Sequence, residues 1–267
     1  MKPYREPSKR ITPPCGVRAA VAGLVLLASA ACASASSQPG PPAASIGTTL
    51  DRPVPASVAS LPLTDDTGHL TSLDAFRGKV VVLTDFLTLC QDVCPMTSAN
   101  FAEMDRAVAA AHLSGQVQFV ELTVDPGRDT PARLRAYRKL FDAPTNWALL
   151  TATTPVIAQV WKFFGAFYTR GPEDQPAGID WMTGHRLTYD VDHSDVLIYL
   201  DRSMHERFVI AGLPNTQGRR LPTSLTRFLN DLGRTHLTQP GAGSWTVPDA
   251  LTALSWLLKT SVPEPSS

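Results

Sequence analysis

The sequence predicts an α/β fold, a mixed central sheet with helices on both faces, and three observations carry that prediction. Apolar strand-like runs occupy residues 79–86 and 117–124, and the first leads into a long segment of helical periodicity. Thr130-Pro131 and Thr154-Pro155 each open a further helical pattern with a capping residue and a proline at the first turn. Two later apolar runs, 195–200 and 207–211, are separated only by a short polar turn, which makes them an antiparallel hairpin. The order is strand, helix, strand, helix, short strand, helix, hairpin, helix. Parallel crossovers followed by a hairpin give a mixed sheet.

Taken in order, Leu63 and Leu70 flank the turn-rich Thr64-Asp65-Asp66-Thr67-Gly68 as a small hairpin, and Leu73 with Phe76 close it onto the strand at 79–86. Phe101, Met104, Val108 and Ala111 recur at three- and four-residue steps, predicting a helix over 95–113 with one buried face, ended by Gly115. A second helix turns Leu134, Tyr137 and Phe141 inward, a short strand covers 147–150, and a third helix turns Val156, Val160, Trp161 and Phe164 inward. Residues 165–189, rich in Gly, Pro and charge, read as an irregular excursion or hairpin. Leu225, Phe228, Leu229 and Leu232 mark the last helix of a domain spanning 61–235, with Gly233 behind it. Residues 236–267 are a Gly-rich linker and an amphipathic helix carrying Val247, Leu251, Leu254 and Leu258, expected to dock on the domain.

The chain has 267 residues, 43% of them hydrophobic, enough for one domain of ordinary size with residues left at both ends. Its 24 basic and 24 acidic residues give zero formal charge, which argues against a nucleic-acid-binding surface. The balance is uneven. Residues 1–32 hold five basic residues and one acidic, leaving 19 basic against 23 acidic and a net of −4 beyond them. A basic start, an apolar run at 19–31 and a cluster of small residues are the layout of an export signal. That run falls short of the roughly 20 residues needed to span a bilayer. Two cleavage readings compete: Ala-x-Ala sites at Ala28-Ser29-Ala30 and Ala33-Ser34-Ala35, or a bacterial lipoprotein box at Ser29-Ala30-Ala31-Cys32 whose cysteine carries the lipid. Either places the folded part in the periplasm or on the outer face of the cytoplasmic membrane, attached by lipid or tether only. Residues 33–60, mostly Ala, Ser, Pro, Gly and Thr, are the expected flexible tether.

Of four cysteines, only Cys90 and Cys94 fall in the folded part. They sit in Cys90-Gln91-Asp92-Val93-Cys94-Pro95, between the end of a buried strand and the start of a helix. The helix N-terminus is expected to favour the thiolate of Cys94. A thiolate is both a nucleophile and a soft metal ligand, so these residues leave disulfide exchange and metal binding open. A plain stabilising disulfide is disfavoured because closing so short a loop removes little chain entropy.

Three stretches, Cys90-Gln91-Asp92-Val93-Cys94-Pro95, Thr123-Val124-Asp125-Pro126-Gly127-Arg128-Asp129-Thr130-Pro131 and Val191-Asp192-His193-Ser194, together resemble the Sco/SenC family of copper-binding, thioredoxin-fold proteins of cytochrome c oxidase assembly. The resemblance runs from about residue 61 to 233 and implies a thioredoxin-like fold. It implies copper, as Cu(I) or Cu(II), held by Cys90, Cys94 and His193. Two thiolates and an imidazole suit that metal, with zinc as competitor. It further implies a copper-binding subunit of a terminal oxidase as partner, a thiol reductant as donor, and either metallochaperone function or disulfide reduction with Cys90 and Cys94 as a redox disulfide pair. A thiol peroxidase is a third reading. Asp125 orients a ligand, contacts a partner, or merely caps its turn. Gln91 stands where proline is frequent in the family, which is expected to loosen the loop. His69, His112, His185, His205 and His236 match no ligand position and are assigned to the surface, with His185 the nearest spare.

Overall fold

The computed structural model describes residues 38–142 and 146–264. The export signal, its cleavage readings, Cys15 and Cys32 lie outside the described residues. Among the described residues no helix is long and apolar enough to cross a membrane.

The chain enters as β1 (Thr48–Pro53) and a short helix α1 (Ala56–Ala59), followed by the hairpin β2 (Leu63–Asp65) and β3 (Leu70–Thr71). Then come β4 (Val80–Phe86), α2 (Cys94–Ala110), β5 (Val117–Thr123), α3 (Pro131–Lys139), β6 (Trp147–Thr151) and α4 (Thr154–Phe164). A ribbon of β7 (Tyr168–Gly171) and β8 (Asp190–His193) precedes β9 (Val196–Leu200) and β10 (His205–Ala211), and α5 (Thr223–Phe228), α6 (Asp231–Thr238) and α7 (Val247–Leu258) complete the chain.

Eight strands form one sheet in the order β1-β10-β9-β4-β5-β6-β2-β3. β4, β5 and β6 run parallel, while β9 pairs antiparallel to β4 and β10 antiparallel to β9. A parallel crossover followed by a hairpin on the other side of the first strand is the thioredoxin-like arrangement, set here inside a larger mixed sheet. Every residue of β4 and β5 is buried. Because successive side chains point to opposite faces, both faces are covered, which suits strands this rich in Val, Leu and Phe, although Thr84, Asp85, Gln118, Glu121 and Thr123 are buried with them.

Four sequence expectations need correction. Part of the stretch read as a tether is folded: β1 pairs with β10, Arg52 Nε donates to Glu206 Oε2 at 2.7 Å, and Val54, Val58 and Ala59 are buried. The segment was illegible because β1 is an edge strand held by backbone pairing, and its side chains are mostly exposed. Second, α2 is buried far beyond one face, 13 of its 17 residues being shielded, because α7 packs on it as well as the sheet. It ends not at Gly115 but at Ala110, with His112 taking a left-handed turn (φ 58°). Third, the last helix is two helices, broken at Leu229-Asn230. Gly233 lies inside α6 rather than behind a helix, and Leu232 is exposed. Fourth, Val156 on α4 is only half-buried, with Ile157 taking the inward place. In the tail, α7 carries a capping box between Thr246 and Asp249 and buries Val247, Leu251, Leu254 and Leu258. Tyr199 Oη on β9 donates to Ala250 O at 3.1 Å.

Candidate metal centre

β4 ends at Phe86, and the following loop is tied down before the first cysteine is reached. Asp129, wholly buried, accepts from the Thr88 hydroxyl in that loop and from the Thr123 hydroxyl at the end of β5, and Trp181 Nε1 donates to Thr88 O at 2.7 Å. Burial raises the Asp129 carboxyl to about 6 against the two hydroxyls that hold it down. Cys90 follows in the loop and Cys94 is the first residue of α2, with Pro95 next in its first turn. Both are free thiols, 8% and 2% exposed, so Cys90 is the more approachable.

The third residue arrives from the β7–β8 ribbon. Cys90 Sγ, Cys94 Sγ and a ring nitrogen of His193 all lie within 4.8 Å of one another, with His193 Nε2 3.3 Å from Cys94 Sγ. Among the described residues this is the only such cluster of histidine, cysteine and carboxylate groups. His193 Nδ1 faces Asp85 Oδ2 at 2.9 Å and Ser194 O at 2.5 Å, both acceptors, so the ring presents Nε2 toward the sulfurs. Asp85 is itself fixed on β4, taking the Val196 N–H at 3.3 Å on its other oxygen.

The charge distribution reverses one expectation. The backbone N–H of Cys94, one of the unpaired donors of the α2 N-terminus, points at Cys90 Sγ (3.4 Å) rather than serving its own sulfur. The Cys94 thiol against Cys90 holds the Cys90 pKa well below the usual thiol range despite burial, and His193 adds to this. Burial, together with the neighbouring Cys90, pushes Cys94 well above it. The Cys94 N–H and the surrounding charges therefore favour the thiolate at Cys90 over Cys94. Burial alone would depress His193, but the Asp85 carboxylate and Cys90 override it and lift the imidazole well above its ordinary value. At the rim, burial outweighs the pull of His193 on Asp195, and nearby negative charge adds to it, raising that carboxyl to about 7.

Asp125 does not touch this group. Its carboxylate accepts from Arg128 Nε and from Tyr189 Oη at 2.9 Å, and its backbone carbonyl takes the Arg128 and Asp129 N–H groups. The guanidinium groups of Arg128 and Arg170 both lie over the Tyr189 ring, at 3.7 and 3.6 Å from its centroid. The carboxylate on the histidine is Asp85, which sequence reasoning missed. An acid inside an otherwise apolar buried strand was the available signal. Gln91 is likewise not a loosened position: it is buried, its Nε2 donates to Glu173 Oε1 at 2.7 Å, and its carbonyl accepts from Asn230 N at 2.9 Å. His69 contacts Thr67 and His205 contacts Asp51, while His236 reaches Asp92 between the two cysteines at 2.7 Å. His236 is thus tied to the cysteine loop rather than merely surface.

The SCO1/SenC family model matches residues 52–217, which is more than half of the chain. This chain belongs to the SCO1/SenC family. Among relatives, the bovine mitochondrial SCO2 homolog is 33% identical over 138 residues, covering 52% of this chain and 47% of that protein. A SCO2-like protein of Rickettsia conorii is 29% identical over 150 residues, covering 54% of this chain and 70% of its own length. The SCO1/SenC chain thus spans about half the length of the bovine relative. Copper-bound ScoI of Bradyrhizobium japonicum is 26% identical, with a TM-score of 0.46, covering 69% of this chain and 99% of that one. Copper-bound ScoI of Arabidopsis thaliana is 25% identical, with a TM-score of 0.45, covering 61% and 86%.

Proposed function

We propose that this protein is a copper metallochaperone that holds Cu(I) or Cu(II) through Cys90, Cys94 and His193 and delivers it to the dinuclear copper centre of a terminal oxidase. The observation that carries the reading is the convergence of two sulfurs and one oriented imidazole nitrogen within 4.8 Å, drawn from segments about a hundred residues apart. The donor set fits the cargo. Thiolates select soft Cu(I), and two of them neutralise Cu(II) or leave Cu(I) at a net charge of −1. Asp85 on the far nitrogen of His193 is the kind of outer carboxylate that orients a metal-binding imidazole and raises its basicity. Family membership and the copper named in the two related structures support the same reading. The chain works, on this proposal, outside the cytoplasmic membrane, anchored at Cys32 or released, with a thiol reductant keeping the pair reduced.

Titration of the reduced protein with Cu(I) and Cu(II) tests this. Thiolate-to-copper absorption is expected with Cu(II), and its persistence in Cys90→Ser, Cys94→Ser or His193→Ala would remove that residue from the ligand set. Equal or tighter zinc binding at the same three residues would count against copper.

A second reading is favoured by the unequal sulfurs. Cys90 as thiolate attacks one sulfur of a partner's disulfide, forming a mixed disulfide and releasing the partner's first thiolate. Cys94, giving up its proton, then attacks Cys90 Sγ and frees the second thiolate, leaving Cys90–Cys94 oxidised. His193→Ala separates the readings: loss of copper binding with oxidase assembly intact in cells would favour reduction over delivery.

A further inference from the structure

The three residues between the cysteines are gripped from outside by a segment that lies beyond the family-matched stretch. At the α5–α6 break, Asn230 N donates to Gln91 O at 2.9 Å, and Asn230 Oδ1 caps α6 by accepting from Gly233 N at 2.8 Å. Gly233 then rests directly on the loop: a Cβ there would overlap Gln91 O and come within 2.9 Å of the Asp92 Cα. A glycine weakens a helix interior, so its place inside α6 reflects close approach rather than helix formation. One turn on, His236 Nδ1 donates to Asp92 Oδ1 at 2.7 Å. The opposite side is closed by the 172–189 excursion, where Glu173 holds the Gln91 amide and Gly178 leaves no room for a side chain beside it. Asn230 Nδ2 joins the two sides through Asp174 Oδ2 at 3.1 Å.

We propose that α6 is a clamp on the Cys90–Cys94 loop, with Asn230, Gly233 and His236 as positioning residues that set how often the buried sulfurs open to an incoming reagent or metal acceptor. The proposal rests on the reading of Cys90 and Cys94 as the working sulfurs, and on no property of the metal itself. Both sulfurs are shielded in the closed loop, so reaction requires local opening, and removing any one hydrogen bond of the clamp multiplies the open population.

The test measures modification of the reduced, metal-free full chain by an aromatic disulfide reagent, with thermal unfolding followed in parallel. His236→Ala removes a charge-assisted bond and is expected to raise the modification rate about tenfold. Gly233→Ala, which must push the loop away, is expected to raise it at least as far. His236→Asn places an amide N–H where Nδ1 stands and is expected to return the rate toward wild type. Leu232→Ala, on the exposed side of the same helix, is expected to change nothing. Rates for His236→Ala within twofold of wild type, or a Leu232→Ala rate as high as that of His236→Ala, would overturn the clamp. If Gly233→Ala does not fold, the His236 pair alone decides. In copper-loaded protein, release of Cu(I) to a competing chelator is expected to quicken by a similar factor. A wild type that binds no copper but shows the variant differences in thiol rate would leave the clamp standing and sink the metallochaperone reading.

Discussion

Replacing Asp85 with Asn keeps the size of the side chain and removes the charge behind His193. In the native arrangement Asp85 accepts from two donors, His193 Nδ1 at 2.9 Å and Val196 N at 3.3 Å. An Asn amide has one oxygen, so it can satisfy only one of them and turns its NH₂ toward the other. The loss is one charge-assisted hydrogen bond in a buried site, about 1.5–3 kcal/mol. At 1.4 kcal/mol per factor of ten, that is roughly a ten- to hundredfold weaker copper affinity, the range in which outer-sphere partners usually act. A proton competes with the metal for Nε2, and Asp85 favours both. The full loss is therefore expected on the alkaline side, where the wild-type imidazole has already given up its proton, and a smaller one at neutral pH. The assay is competition with a Cu(I) chelator at two pH values, with far-ultraviolet circular dichroism confirming that the fold is retained. An Asp85→Asn protein binding copper within twofold of wild type at both would refute the assignment of Asp85 as the group that orients His193.

Three further outcomes follow from the same structure. Glu121, wholly buried on β5 with one oxygen taking the Ser98 hydroxyl at 2.8 Å, is raised by burial to about 8. Its folded pKa lies above the unfolded value, so its own contribution to stability is fully present below about pH 4.5 and is lost as pH rises toward 8. Glu121→Gln should flatten that slope and gain about 3 kcal/mol at pH 7, read from denaturant melts across this range, and an unchanged slope would contradict a buried, protonated Glu121. Leu254→Ala on α7 should cost about 3 kcal/mol by thermal melting, whereas a tail lying free of the domain predicts almost none. With limiting iodoacetamide, mass spectrometry should find Cys90 alkylated before Cys94, and the reverse order would return the thiolate to the helix N-terminus.

What the sequence made legible was whatever repeats along the chain. The Val80–Leu83 run of β4 and the Thr-Pro openings of α3 and α4 announce themselves because strand burial and helix initiation are local. The two cysteines were legible for the same reason. His193 was not: nothing in Val191-Asp192-His193-Ser194 distinguishes a ligand from a loop histidine, and only the family resemblance brought it to the sulfurs. Asp85, Asp129, Asn230 and His236 were missed because each acts on a residue between 41 and 144 positions away, through pairings no periodicity encodes. A helix start beside Cys94 suggests a thiolate there, but proximity does not say which sulfur the N–H groups face, and the Cys94 N–H faces Cys90.

The edge strand β1 has a consequence for the company this molecule keeps. At one end of the sheet β1 covers β10, whose Phe208, Val209 and Ile210 would otherwise line an open edge seven residues long. β1 itself offers neighbours a charged Arg52, a Pro53 without an N–H, and a register irregularity between Thr49 and Arg52. At the other end β3 is only two residues long. Among the described residues, each margin of the sheet is therefore a poor template for a further strand. A soluble fragment cut after Pro53 would lose that protection while keeping the cysteines and His193, and its tendency to self-associate would come from the trimmed lead-in segment rather than from the site.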